Sequence, residues 1–508
     1  MCIVCGPGGA RLLRSIAGQY AAAKPRFLAE EIKPAITPPL DPADVEELKG
    51  SADVILRGGP ILTMRKADEV APAIAVRAGR IQAVGDEESV LALRGRLTRI
   101  IDLDGRALVP GFVIADWHPP LSLMCDWLEA GQTPAQAIAA AAAEPSSEWI
   151  ALRIDGSAED EVKAAIIATT SRPAVTVDRK GSVVAASPAA RALVPELEPV
   201  RFNDASPELQ PQVSVILPSL LGHVAGSLDA LRARLKVHFG EAARAGVTTV
   251  RLCGLGALAG YDDPELMRSA AGESPPLRFR GAVDADLALH PEGKRFPPRF
   301  GDDMFRIDTA TRWIDAASTE RQELAEMVRA LREKGWRVTL HADSPAAIEI
   351  ALEAFSAAAC SGASFDVSDG VESRVSQSAG AWARTRRLGV SAGIVLDDPA
   401  VSDVDALDLG AASGIPVSLT RDLMVGAPEP LMVLATTAGG SAAMRDWLPS
   451  ITSDAAARCG AGAILGSFEV GKYADFAFLD RAPQRVDLGH DVQIKCVGTW
   501  LAGREIRP

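Results

Sequence analysis

Hydrophobic and polar residues follow two different rhythms along this chain. Near the start, short apolar runs are separated by glycine-containing turns, a pattern typical of a small β-structure. These runs are Ala52 to Leu56, Ile61 to Met64, Ala73 to Val76, Arg80 to Val84 and Arg99 to Leu103. From about residue 111 to residue 465, helical stretches alternate with short apolar strands. That alternation indicates a parallel α/β sheet.

Four helix–strand units carry the second rhythm. The clearest helix begins with Ser227 as its cap and ends at Gly246, and a second begins at Thr319 with Gln322 placed for a capping box. The units are a helix to Ala245 with the strand Val247 to Val250, a helix to Lys334 with the strand Arg337 to His341, a helix Gly380 to Arg387 with the strand Val390 to Leu396, and a helix near Asp403 to Leu409 with the strand Ile415 to Asp422. This number of units favours a closed barrel over an open sheet.

These patterns divide the chain into three parts. Residues 1–50 form a leader with a helical pattern from Arg11 to Ala23 and a proline-rich linker. Residues 51–110 and 466–508 are both strand-rich and predict a composite β-sandwich. Residues 111–465 predict the barrel domain, in which about 149–218, from Trp149 to Pro218, fits the rhythm poorly and is interpreted as an inserted subdomain or lid.

Composition narrows the class of protein without identifying it. The 508 residues are 48% hydrophobic and 23% charged, as in ordinary soluble globular proteins. A net charge of −13 argues against nucleic-acid or anionic-membrane partners and leaves a small molecule as the expected ligand. The sequence predicts neither a membrane span nor a signal peptide, and seven dispersed cysteines suit a cytoplasmic protein. Cys2 and Cys5 form a C-x-x-C that is either a weak metal or redox motif or part of a frayed terminus.

The strongest candidate chemistry lies at the end of one predicted strand. The run from Val109 to Pro119 forms a turn and a buried strand that ends with Asp116 and His118. Residues two apart on a strand point to the same face, so these two side chains are expected to project together. The intervening Trp117 points the other way and is expected to pack in the core.

The same run resembles the first metal-binding strand of the amidohydrolase superfamily, Pro-Gly-Phe-Val/Ile-Asp-x-His-x-His. The tail from Gly466 to Asp475 is similar to the Gly-Ser-Ile-Glu-x-Gly-Lys-x-Ala-Asp segment that closes those enzymes, and Ala52 to Gly59 is similar to their first strands. The strand ending at His341 and the inserted region resemble amidohydrolase family 3, which includes N-substituted formamide deformylases. The resemblance implies an α/β fold: a distorted (β/α)8 TIM barrel with a small β-sandwich built from both ends of the chain.

The resemblance also implies a metal site that has been rewritten. His118, His341 and Asp422 match family ligands, whereas Asp116 replaces a histidine and Asp369 falls where a Glu-His pair is usual. Thr311 stands in the place of the lysine that bridges two metals, and Ser182 replaces a histidine of the inserted region. Asp369 is either a ligand or part of a plain Ser-Asp-Gly turn.

Losing the bridging lysine leaves room for a single metal ion. The implied ligands are Asp116, His118, His341, Asp422 and Asp369. Two imidazoles and several carboxylates suit Zn²⁺, Mn²⁺ or Fe²⁺, and the added carboxylates shift the expected preference toward manganese or iron. In this scheme Asp422 is the general base and His341 is a further catalytic residue.

Two functional hypotheses follow. The chain is either a hydrolase of an amide or related non-peptide C–N bond that uses one noncanonical metal, or an inactive homologue without metal that binds a ligand or serves in an assembly. Convergence of His118, His341 and Asp422 would favour the enzyme. Filling of that space by Arg421, Arg312 or Trp313 would favour the inactive homologue. In either case a homodimer or a subunit of a larger assembly is expected from family habit.

Overall fold

The computed structural model describes most of the chain, in segments. These are residues 49–66, 69–117, 126–128, 138–139, 149–153, 159–169, 172–177, 183–194, 197, 228–255, 263–289, 297–375, 377–396, 414–421, 430–431, 444–483 and 494–506. The predicted leader and the predicted helix near Asp403 to Leu409 therefore lie outside the described residues.

One eight-stranded sheet takes strands from both ends of the chain. Its strands are β1 (Val54–Leu62), β2 (Val70–Arg77), β3 (Arg80–Gly85), β4 (Arg99–Asp102), β5 (Ala107–Pro110), β19 (Phe476–Leu479), β20 (Cys496–Leu501) and β21 (Arg504–Glu505). The order is β21-β20-β19-β5-β1-β2-β3, and β4 pairs with β1. A short helix, α1 (Glu87–Leu91), follows β3 and is capped by Asp86, whose carboxylate accepts from the Ser89 amide.

The first two predicted strands are in fact one strand. β1 continues through Arg57, Gly58 and Gly59, with an irregularity in its pairing to β2 between Arg57 and Ile61. Gly58 has φ +79°, and a Cβ there would lie 2.1 Å from the Asp102 carboxylate. Only glycine fits both constraints, so the residues that predicted a turn instead let β1 bend past β4.

The second large sheet curves into a nearly closed barrel. Its parallel strands are β6 (Phe112–Trp117), β11 (Val247–Leu255), β12 (Arg278–Asp284), β14 (Phe305–Trp313), β15 (Arg337–His341), β16 (Gly370–Ser373), β17 (Ser391–Leu396) and β18 (Val417–Arg421), with the short β13 (Phe300–Gly301) antiparallel to β14. The terminal strands β18 and β6 lie side by side and complete a nearly closed barrel. The expected (β/α)8 TIM barrel of the α/β class is confirmed.

Helices surround the barrel and bury apolar faces against it. They are α4 (Leu228–Arg244), α5 (Asp263–Ala271), α6 (Ala285–Leu289), α7 (Arg321–Glu333), α8 (Pro345–Cys360), α9 (Ala379–Leu388), α10 (Met444–Trp447), a 3-10 turn (Leu448–Ile451) and α11 (Ser453–Arg458). In α7 the buried residues Leu324, Val328 and Leu331 follow helical spacing. Ser378 caps α9, and Gly389 ends it with φ +71°.

Helix α7 starts later, and strand β11 ends later, than the sequence predicts. Thr319 does not cap α7; its hydroxyl accepts from the Asp315 amide and closes a turn, so the helix begins at Arg321. The side-chain amide of Gln322 donates a hydrogen bond to Glu326 one turn along the helix and does not form a capping box. β11 runs five residues beyond the predicted Val250, and this extension brings more side chains into the barrel.

A four-stranded sheet occupies part of the predicted insertion. Its strands are β7 (Asp126–Leu128), β8 (Ile150–Arg153), β9 (Ala174–Val177) and β10 (Val183–Ala186), accompanied by α2 (Glu159–Ala168) and α3 (Pro188–Leu193). Trp149, Val175 and Val183 belong to the same apolar cluster as the barrel helices. Because β7 precedes Trp149, this sheet starts earlier in the chain than the predicted insertion.

Alternation along the strands separates an apolar outer face from a polar interior. On β11, Val250 and Leu252 join the core beneath the helices, whereas Arg251 and Cys253 alternate with them and face inward. An irregularity between β12 and β14 follows Ile307. Beyond it, Thr311 and Trp313 lie level with the inward residues of β15. The sequence contains no signal for this shift of face.

Within the part of the chain that the structure describes, no helix combines the length and the apolar character that a membrane span requires.

Candidate metal centre

Three buried side chains converge at the C-terminal ends of barrel strands. Asp116 lies at the end of β6, Cys253 near the end of β11 and His341 at the end of β15. A carboxylate oxygen, the thiol sulfur and an imidazole nitrogen lie within 4.8 Å of one another. All three residues are at most 5% exposed. Barrels of this class build their active sites at this end, so the position is the expected one for chemistry.

A hydrogen bond links two members of the cluster. The Cys253 thiol donates to Asp116 Oδ1 across 2.7 Å. Burial raises the pKa of Cys253 well above its ordinary value, and the neighbouring Asp116 carboxylate adds to that rise, while Arg251 opposes it. The thiol therefore keeps its proton at neutral pH as long as no cation replaces it.

An aromatic side chain covers one face of His341. The Trp313 ring stacks on the imidazole with centroids 4.5 Å apart and planes 14° apart. The two residues lie opposite each other in the register of β14 and β15. The Arg374 guanidinium sits 5.6 Å from the Trp313 ring centre and forms an ion pair of 2.8 Å with Asp343.

Beneath this cluster lies a buried ion triad. Glu372 accepts from Arg251 Nη2 at 3.3 Å and from Arg458 Nη2 at 2.8 Å, and all three side chains are about 1% exposed. Arg251 also donates to the Thr339 hydroxyl and to the Arg458 carbonyl oxygen. Because Arg251 precedes Cys253 by two residues on β11, its charge lies one layer below the thiol.

The triad constrains the neighbouring strand. Gly393 of β17 faces it, and a Cβ at that position would lie 2.1 Å from Glu372 Oε1 and 2.2 Å from Arg458 Nη1. Burial raises the pKa of Glu372, and Arg458 and Arg251 oppose that rise. The glycine leaves the space that these two charged groups need, which keeps the layer under the cluster fixed.

Further charges fill the lower part of the barrel. Arg337 pairs with Asp308, and Arg278 holds Asp475 of the C-terminal segment with two hydrogen bonds of 2.8 and 3.2 Å. Burial lowers the pKa of Arg280, whose Nε and Nη2 have no hydrogen-bond partner among the described residues. This barrel interior is ionic, in contrast to the branched apolar layers that usually fill such barrels.

Asp369 lies away from the cluster. It precedes β16, and its carboxylate accepts from the backbone amides of Val338 and Asp366 and from Arg332. Val338 is near the start of β15, so Asp369 belongs to the N-terminal end of the barrel, opposite His341. The prediction that Asp369 is a metal ligand is wrong, because β16 begins only at Gly370 and it is Glu372 that lies level with His341. The alternative interpretation as a turn residue fits.

Thr311, which the resemblance aligns with a bridging lysine, is not part of the cluster found among the described residues. Thr311 donates its hydroxyl hydrogen bond to the Val283 carbonyl at 3.3 Å. Arg312 forms an ion pair with Asp286 at 2.8 Å, so its charge is directed to α6. Of the three residues expected to fill the site in an inactive homologue, Trp313 contacts the cluster through His341, Arg312 pairs with Asp286, and the side chain of Arg421 is not among those described. On the first strand, Trp117 packs against Phe239 of α4, as the alternation predicts.

Two predicted ligands, His118 and Asp422, lie outside the described residues, as does Ser182. Their flanking positions are described. His118 comes directly after the last residue of β6, Trp117, and Asp422 directly after the last residue of β18, Arg421. These two strands, β6 and β18, are neighbours in the barrel.

Cys253 is the member of the cluster that the sequence did not reveal. The β-branched residues Val247 to Val250 mark only the first half of β11. A usable signal lies just beyond them, because Arg251 and Cys253 alternate with Leu252 and continue the strand with polar residues on one face. Extending the strand by that alternation would have brought the thiol to the same barrel end as Asp116.

The donor set fits a metal ion of the zinc type. Zinc binds carboxylate oxygen, thiolate sulfur and imidazole nitrogen, and three protein ligands with an open position are usual in catalytic sites. The ligand atoms of Asp116, Cys253 and His341 lie within 4.8 Å of one another. Binding would displace the thiol proton, so affinity for metal should fall as pH is lowered.

A nearly closed parallel barrel with a buried carboxylate, thiol and imidazole at its strand ends defines a TIM-barrel protein with a candidate metal centre. Residues 99–507 match the model of the amidohydrolase family, and the chain belongs to that family. The family assignment agrees with the motifs at both ends of the chain.

Solved structures show the same fold at low identity. An uncharacterised metal-dependent hydrolase from Pyrococcus horikoshii OT3 is 17% identical, with a TM-score of 0.64 over 87% of this chain and 100% of that one. The zinc complex of the atrazine chlorohydrolase TrzN from Arthrobacter aurescens TC1 is 14% identical, with a TM-score of 0.55 over 89% of this chain and 94% of that one.

A curated relative matches over a short stretch only. Imidazolonepropionase from Symbiobacterium thermophilum is 43% identical over 82 residues, which are 15% of this chain and 19% of that protein. The chain thus matches about a fifth of the length of that relative.

Proposed function

We propose that this protein is a metal-dependent hydrolase with a mononuclear centre held by Asp116, Cys253 and His341. The observation that carries the proposal is the approach of the three ligand atoms to within 4.8 Å at the C-terminal end of the barrel. Family membership and metal-dependent neighbours of the same fold support it. His118, which directly follows β6, is proposed as a further ligand.

The thiol changes the expected metal. The carboxylate-rich set inferred from sequence favours manganese or iron, whereas a soft thiolate beside an imidazole favours zinc. With Asp369 at the opposite end of the barrel, the set also loses one hard ligand. We therefore propose zinc as the resident metal.

In the proposed hydrolysis, residues of this chain act together with the metal. A bound zinc would supply a polarised carbonyl and a water of lowered pKa. Asp422, which directly follows β18, is proposed as the base that accepts the proton of the attacking water. Arg251, buried one layer below, lowers the cost of a deprotonated Cys253 because it opposes the rise in the thiol pKa.

A metal-free thiol hydrolase is a poorer explanation of the same residues. A cysteine nucleophile needs a thiolate, and burial raises the pKa of Cys253 well above its ordinary value. Its hydrogen bond goes to the acidic Asp116 and not to a base that would remove the proton.

The stack of Trp313 on His341 is compatible with a bound metal. Imidazole nitrogens bind metals through lone pairs in the plane of the ring, and a stacked partner covers only the face. The inactive homologue remains the second candidate, because the Cys253–Asp116 hydrogen bond also satisfies both groups without a metal.

The proposed substrate is an amide or a related non-peptide C–N bond. This proposal rests on the amidohydrolase family and on the resemblance to the N-substituted formamide deformylases. Proposed partners are that small molecule and a second copy of the chain.

Elemental mass spectrometry on the purified protein tests the proposal. We expect about one zinc per chain in the wild type and its loss in Asp116→Asn and His341→Ala. Cys253→Ser should bind zinc more weakly and tolerate manganese better, because a hydroxyl is a harder ligand than a thiolate. Turnover of amide substrates should follow zinc content.

Asp369→Asn is the matched control, since it alters a carboxylate that is also buried, at the other end of the barrel. It should keep its zinc. An unchanged zinc content in His341→Ala would refute the proposed ligand set. A wild-type protein without metal, even when purified with added zinc, would favour the inactive homologue.

A further inference from the structure

We infer that Trp313 is a positioning residue that fixes the imidazole of His341 in the orientation needed to bind metal. The inference rests on the proposed function and adds a residue that is not itself a ligand. It starts from the stack described above, in which the two rings lie 4.5 Å apart and within 14° of parallel.

The stack restrains a rotation that the backbone leaves open. The χ2 torsion of histidine is broad, so a strand end alone does not fix the plane of the ring. A parallel indole ring at van der Waals distance holds that plane, because turning the imidazole would push its edge into the Trp313 face. The nitrogen facing Asp116 and Cys253 is thereby kept in the cluster.

The Trp313 ring is itself held in place. The Arg374 guanidinium lies 5.6 Å from its centre, within the range of a cation–π contact. Arg374 is tied by its ion pair to Asp343, which follows His341 by two residues. These four side chains form a clamp at the end of β15, in which imidazole, indole, guanidinium and carboxylate contact one another in that order.

The clamp joins three neighbouring strand ends. Trp313 ends β14, His341 ends β15, and Arg374 directly follows β16. A ligand that is oriented before the metal arrives loses less conformational freedom on binding, so the clamp should raise metal affinity. Groups that orient ligating histidines typically affect metal affinity about 10-fold to 100-fold.

Zinc affinity, measured by competition with a chromophoric chelator, tests the inference on the full chain. Trp313→Ala should weaken zinc binding about tenfold, whereas Trp313→Phe, which keeps a ring, should stay close to the wild type. Trp382→Ala is the matched control, because Trp382 packs against Ala392 and Val417, away from the metal cluster. It should bind zinc like the wild type.

The Co²⁺-substituted protein gives a readout independent of activity. Its visible spectrum reports ligand geometry, and we expect an altered spectrum for Trp313→Ala and wild-type spectra for the other two variants. Wild-type affinity and spectrum in Trp313→Ala would overturn the inference, as would an equal loss of affinity in Trp382→Ala. A wild type that binds no zinc would instead remove the proposed function on which the inference rests.

Discussion

Asp116 and Asp475 are buried equally, at 5% exposure, yet they lie at opposite ends of the barrel and have different neighbouring groups. Asp475 accepts two hydrogen bonds from Arg278 and one from the Ala502 amide. Asp116 is surrounded by a thiol and an imidazole, which are themselves metal ligands. Burial alone therefore does not distinguish a structural carboxylate from a chemical one; the kind of partner does.

The same distinction separates Asp369 from the cluster. The Asp369 carboxylate accepts hydrogen bonds from backbone amides and from Arg332, just as the Asp475 carboxylate accepts them from Arg278. At the lower end each carboxylate thus has an arginine as a charged hydrogen-bond donor. At the upper end the side chains around Asp116 would gain most from a shared cation, and the following predictions test this contrast.

The largest effect on folding is expected from the lower end. Arg278→Met leaves Asp475 buried beside an apolar side chain, and removing one partner of a buried pair costs about 3–5 kcal/mol of unfolding free energy. Denaturant unfolding measures this loss. Zinc content of the folded variant should stay at the wild-type level.

Arg481→Met is the control for that variant, because Arg481 forms an exposed ion pair with Asp480. It should change the unfolding free energy far less. Equal effects of the two substitutions would mean that the buried pair contributes no more than a surface pair.

The second prediction concerns the pH dependence of stability. Burial raises the pKa of Asp369 to about 6, although Arg332 and two backbone amides oppose the rise. The folded protein therefore holds a proton that the unfolded chain releases near pH 3.8. The raised pKa of Asp369 stabilises the folded protein most below pH 3.8. This stabilisation is lost as the pH rises through about 6, by on the order of 3 kcal/mol of unfolding free energy.

Asp369→Asn should flatten this decline, as followed by urea unfolding between pH 4 and pH 7. Asp454, whose pKa burial also raises to about 6, accounts for a decline that should remain in the variant. Identical pH profiles for the variant and the wild type would show that Asp369 does not titrate in this window.

The smallest effect is expected at the outer edge of the clamp. Arg374→Gln removes the cation beside Trp313 but keeps the Trp313–His341 stack. At 5.6 Å the contact is near the outer limit of a cation–π interaction and is worth about 0.5–1 kcal/mol, so zinc affinity should fall by roughly twofold to fivefold. Competition with a chelator measures it, and a loss as large as that of Trp313→Ala would assign the main effect to Arg374.

Much of the fold could be predicted because local signals and tertiary structure agree. The predicted strand that carries Asp116 and the predicted strand Arg337 to His341 became β6 and β15, and Gly246, the predicted end of a helix, follows α4 with φ +91°. Gly58 and Gly59 misled, because the same glycines that favour a turn also permit a bend within one long strand.

The candidate site was predicted only in part, since it depends on register. Asp116 was predicted from its place at the end of an apolar strand, and His341 from the family resemblance. Cys253 was missed because the polar Arg251 obscures the continuation of β11. The ionic layer of Arg251, Glu372 and Arg458 joins residues from distant parts of the chain, and no local pattern brings them together.

The sheet that combines early and late strands of the chain cannot be completed until late in synthesis. β5 pairs with β19, and Phe476 and Trp500 complete the apolar core around Leu56 and Ile74. While the ribosome is still translating the barrel, the first five strands lack those partners and leave the edge of β5 open to other nascent chains. Completing this domain must therefore wait until the final strands have left the ribosome, and translation that stalls within the barrel leaves an exposed sheet edge for chaperones to cover.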